Sequence, residues 1–79
     1  MAPSRDSAGH EYIEFEMTKD EQVRVTYIPN QGWAGGPTIR IQKHSHTGRM
    51  HQGPEFPADK ALDLIAAVSQ LVTHGQRGA

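Results

Sequence analysis

Hydrophobic and polar positions alternate over Glu11–Met17: Ile13, Phe15 and Met17 fall on one side, Tyr12, Glu14 and Glu16 on the other. A period of two marks a strand with one buried face. Val23–Ile28 repeats the pattern after the short polar link "TKDEQ", with Val23, Val25 and Tyr27 inward and Arg24 and Thr26 outward. So short a link predicts an antiparallel hairpin. Pro29–Pro37, "PNQGWAGGP", reads as a mobile glycine-rich loop closed by prolines. A third strand follows over Thr38–His44, with Ile39 and Ile41 toward the core and Arg40, Gln42 and His44 on the open face; "HTG" is a turn, and "RMHQ" returns as a short fourth strand.

The period then changes. From Phe56 onward, Ala61, Leu64, Ile65, Val68, Leu71 and Val72 recur at helical spacing and make one apolar stripe, with Asp59, Asp63 and Gln70 opposite. Pro57 suits a first turn, Asp59 favours the positive end of the helix dipole, and His74–Gly75 read as the stop. Leu62 lies off the stripe and marks an edge or partner contact. These elements predict an α+β domain over residues 11–75: a three- to four-stranded antiparallel sheet with one C-terminal helix packed on its apolar face. Residues 1–10 and 76–79 read as a flexible N-terminal arm and a flexible tail.

Composition narrows the classes. A 79-residue chain buries only about 60% of its unfolded surface, so a homodimer would help it. Absence of cysteine excludes disulfides and thiolate metal sites. With no signal-peptide pattern and no apolar run of membrane-spanning length, a soluble cytoplasmic protein is expected, with no membrane partner. No nucleophile stands in a recognisable context and "GWAGGP" lacks the lysine and following helix of a phosphate loop, so no enzyme and no cofactor are expected.

Net charge is −1, but it is unevenly distributed. Acids crowd the first segment (Asp6, Glu11, Glu14, Glu16, Asp20, Glu21), whereas Gln22–Pro54 has none and carries Arg24, Arg40, Lys43, Arg49, His44, His46 and His51. Lopsided segments can interleave after folding, which is the plain alternative to a cationic patch. The alternation lets Glu14 and Glu16 pair with Arg24 across the hairpin, for about 0.2–1 kcal/mol. Arg40, Lys43, Arg49 and the histidines then have no acidic neighbour in sequence, and unpaired cations suit an anionic ligand. Trp33, the only tryptophan, sits between glycines; exposed, it would stack on an unpaired base, and folded back it would cap the core. Three imidazoles (His44, His46, His51) invite a zinc reading, but no nearby carboxylate orients them and Lys43 and Arg49 oppose a dication, so no metal is expected.

Over Thr38–Leu71 the chain resembles the single-stranded DNA-binding domain of the positive-cofactor-four transcriptional coactivators. "IRIQ" matches that family's I-x-I-R strand, "TGRMHQG" its turn and exit, and "GPEFPADKALDLIAAV" its last strand and helix. The family's strand arginine falls on Gln42, its lysine before the glycine on Gln52, and its helix tryptophan on Ala61. The resemblance implies a dimer that binds single strands on exposed sheet surfaces, with a transcription-related role. By position it adds Gln42 and Gln52 to the residues above, for a nucleic-acid-binding set of Trp33, Arg40, Gln42, Lys43, His44, His46, Arg49, His51 and Gln52. A second similarity, to small BldB-like regulators that act through protein partners, implies the competing reading. In it, the same hairpin meets an acidic protein partner and the helix face supplies part of an interface.

Overall fold

In the computed structural model, which describes residues 2–78, an antiparallel meander leads into a C-terminal helix. Among the described residues the strands are β1 (Ser4–Arg5), β2 (Glu11–Thr18), β3 (Glu21–Gln31), β4 (Gly36–Ser45) and β5 (Met50–Pro57), paired in chain order, and α1 spans Ala58–Gly78. The α+β class and the C-terminal helix agree with the sequence pattern; the sheet has five strands where three to four are expected.

The additional strand lies in the predicted arm. Ser4 pairs with Tyr12 and Arg5 with Glu11, and the Asp6 carboxylate closes the connection by accepting from the backbone N–H groups of Ala8 and His10. Chiefly through the His10 bond, these hold the Asp6 carboxyl below its ordinary pKa. Met1, at the arm's end, and Ala79, at the tail's, lie outside the described residues. The glycine loop is also shorter than its composition suggests: Pro29–Gln31 belong to β3 and Gly36–Pro37 to β4. Between them Gly32–Ala34 form one 3-10 turn, closed by Gly35 at φ 71°, where a side chain would be strained.

Register puts the predicted faces where alternation does. Ile13 stands opposite Val25, Val25 opposite Ile41, and Tyr27 opposite Ile39, all on one side. On the other side Tyr12, Thr26, Arg40 and Glu55 make one row, and Glu14, Arg24, Gln42 and Gln52 the next. Between Arg40 and Gln42 the pairing shifts, so that Gly53 and Pro54 bulge opposite Ile41. A Cβ at Gly53 would run into the Ile41 carbonyl oxygen, so the bulge requires glycine.

The helix departs most from expectation. It packs mainly on β4 and β5, seating Ala61 in full and Leu64 in part. The remaining stripe, Ile65, Val68, Leu71 and Val72, is exposed, Leu71 at 70%, because the helix runs on beyond what the sheet covers. It also passes His74–Gly75 and continues to Gly78, so residues 76–78 are helix rather than tail, with Arg77 favourable to the last turn. Phe15, Met17 and Tyr27 are exposed as well, and the buried residues among those described are Ile28, Ala61, Thr26 and Thr38, of which Thr38 alone is fully enclosed. A radius of gyration of 14.2 Å, against roughly 12 Å for a compact chain of this length, records the same openness.

Candidate functional site

Each side of the sheet carries a distinct chemistry, and the polar side is organised around two carboxylates. Glu55 on β5 accepts hydrogen bonds from Gln31 Nε2 at 2.7 Å, Thr38 Oγ1 at 2.8 Å and Arg40 Nε at 3.0 Å. These donors, Gln31 first, outweigh partial desolvation and hold the Glu55 carboxyl down at about 2, from an ordinary 4.5. Thr38 is 0% exposed beneath them. In the next row, Glu14 Oε2 accepts from Arg24 Nε at 2.8 Å and lies 3.1 Å from His44 Nδ1. Partial burial pushes the Glu14 carboxyl up, but those two partners prevail and keep it below its usual value. The Arg24 guanidinium also lies 4.0 Å from the centre of the Tyr12 ring. Between the clusters Thr26, 3% exposed, keeps its hydroxyl buried without a protein partner.

These pairs correct the expectation of free cations. Arg40 is bound to Glu55, Lys43 to Glu21 at 3.1 Å, and His44 to Glu14. The acidic and acid-free segments interleave, and even the His46 N–H bonds to the Asp20 carbonyl across neighbouring turns. Among the described residues, Arg49, His46 and His51 have no acidic partner.

The structure also disperses the nine predicted site residues. Arg40, Gln42, His44 and Gln52 share the polar side, where Gln42 Nε2 reaches Gln52 Oε1 at 3.4 Å. Lys43 and His51 oppose each other on the apolar side. Trp33, 63% exposed rather than folded over the core, occupies the β3–β4 turn. His46 and Arg49 occupy the β4–β5 turn, at the far end of the ten-residue β4, which is about 30 Å away. The three imidazoles accordingly diverge, and among the described residues no group of three histidine or acidic side chains could hold a metal ion.

The apolar side carries the second feature. Val25, Tyr27, Ile39, Ile41, Phe56 and Leu62 line a groove of about 390 Å³ between the sheet and the start of α1. Exposed Phe15 and Met17 on β2 and the free helix stripe add further uncovered apolar surface. Sequence reasoning missed Glu55 and Thr38, whose partners lie 15 to 24 residues away in the chain. No helix is long and apolar enough to cross a membrane among the described residues. Neither a family model, nor a curated protein, nor a solved structure matches the chain.

Proposed function

We propose that the chain is a non-enzymatic, cytoplasmic protein-interaction module that works through its apolar side. The carrying observation is the uncovered apolar surface of the sheet and α1, with Phe15, Tyr27, Ile65, Val68 and Leu71 all exposed. Large contiguous apolar surface exposed on a soluble domain marks an interaction site. The polar side speaks for the same reading, since its arginines already hold carboxylates. Photo-crosslinking in the native cell tests it, with the reactive group placed at Leu71 or, as control, at Glu16 on the polar side. Protein adducts at Leu71 and none at Glu16 are expected; no adducts at Leu71, or equal labelling at both, would reject the reading.

A second reading, a single-stranded nucleic-acid binder with a regulatory role in transcription, is favoured by one observation. Trp33 offers an exposed ring for stacking. Phosphate contacts would then fall to Arg49, with His46 and His51 beside it, none of which has an acidic partner among the described residues.

A further inference from the structure

The apolar surface poses a problem of area that points to its occupant. The chain exposes 5939 Å² for a mass of 8.7 kDa, where a compact monomer of that mass exposes roughly 4,700 Å². The difference, about 1,200 Å² per chain, corresponds to about 2,400 Å² for a pair of chains, within the range of obligate homodimer interfaces.

We infer that the occupant is a second copy of this chain, docked face to face so that the free part of α1 from each copy covers the open apolar sheet of the other. This rests on the reading of the apolar side as a protein-interaction surface. Three further observations single out a second copy.

Dimensions agree first. Ile65–Gly78, the part of α1 beyond the seated turns, is about 20 Å long. With α1 seated on β4 and β5, the strands left bare are β1–β3, about 10 Å across at the ordinary inter-strand spacing. The overhang of one copy is therefore long enough to cross all of the sheet that the other leaves bare.

Continuity is the second. The stripe that buries Ala61 is the same one that presents Val68 and Val72, so the helix approaches a second sheet with the chemistry it uses on its own. The groove lined by Tyr27, Phe56 and Leu62 joins the helix stripe to the sheet without a polar break. Each copy thus carries both halves of a self-complementary contact, as a two-fold interface requires.

Charge is the third. The ion pair at the margin of this side, Glu21–Lys43, is satisfied within the chain and offers a foreign partner no charge to match. A net charge of −1 adds little repulsion between two copies.

Sedimentation equilibrium of the full chain through the micromolar range is the test, with Leu71→Glu and Val68→Glu as disrupting variants and Asp63→Lys, on the polar side of α1, as control. Twice the chain mass is expected for the wild type and the control, with reversion to one chain mass in both glutamate variants. Both altered positions are already exposed; circular dichroism of each variant at matched concentration reports whether the secondary structure persists. If a variant unfolds on dissociating, Leu71→Ala keeps the question open to measurement: a dimer weakened at least tenfold supports the inference. A wild type at one chain mass throughout overturns it, as does a dimer indifferent to the Val68 and Leu71 substitutions. In the monomer case, crosslinked protein adducts at Leu71 would leave the interaction reading standing with a different occupant. Their absence would remove both.

Discussion

Arg40 and Glu55 face each other across β4 and β5 with Nε 3.0 Å from Oε1, and the same carboxylate accepts hydrogen bonds from the Thr38 hydroxyl and the Gln31 amide. Three donors on one acidic side chain tie the end of β3, the start of β4 and the last strand together. The arrangement explains why a residue on the polar side, Thr38, is the one fully buried large side chain among the described residues.

Acid should loosen this tie. Glu55 is held at about 2 in the fold against an ordinary 4.5. A depressed carboxyl pKa stabilises the fold above the unfolded value, and that contribution is lost as pH falls through the folded one. Stability should therefore decline from pH 4.5 toward about 2, and more steeply in the wild type than in Glu55→Gln. Urea midpoints measured across that window decide it; parallel curves would mean that the carboxylate is not held as the geometry implies.

Gly53 should not tolerate a methyl group. Because its Cβ would meet the Ile41 carbonyl, Gly53→Ala must move backbone at the bulge, at a cost of about 1–3 kcal/mol. The melting midpoint should fall by roughly 4–8 °C for each kcal/mol in a domain of this size. Gly32→Ala, where nothing lies within 4 Å, is the matched control and should melt near the wild type.

Arg24 touches both Glu14 and the Tyr12 ring. Arg24→Ala should cost about 1 kcal/mol, from a part-buried ion pair and a cation–π contact together. Arg24→Lys should recover only part of it, since the Nε–H donor is lost. A double-mutant cycle of Arg24→Ala with Glu14→Gln, read by urea denaturation, should give a coupling of about 0.5–1 kcal/mol. Strict additivity would show the pair to be idle.

A single-strand binder of this geometry can use only the cations that no carboxylate already holds. If an unstructured oligonucleotide quenches Trp33 fluorescence, affinity should fall log-linearly with salt, and Arg49→Ala should lower the slope by about one unit. Arg40→Ala should leave the slope unchanged, because Arg40 is held by Glu55. No quenching at low salt removes this reading.

Strand faces were legible in the chain because alternation is a local signal: Tyr12, Glu14, Arg24, Thr26 and Arg40 all occupy the polar side it predicts. Pairing partners were not, because they depend on register. Glu55 reaches Arg40 only after a bulge at Gly53 resets β5, and nothing near Arg40 in sequence announces it. The two residues of β1 are too few to carry a period. With the helix, periodicity identifies an apolar stripe but not what covers it, and Val68 and Leu71 lie on that stripe beyond the reach of the sheet. Trp33, placed by glycines on both sides, proved exposed at one end of the sheet, far from the histidines grouped with it.

The passage from β5 to α1 has no loop: Pro57 still pairs with Thr38, and Ala58 already begins the helix. Strand and helix are consequently one bent lever. Its long arm is the 21-residue helix, about 31 Å in length. Its fulcrum is Pro57, and its short arm carries Glu55 two residues away. A displacement of the helix is thereby coupled, with no loop to absorb it, to the strand whose carboxylate clasps β3, β4 and β5.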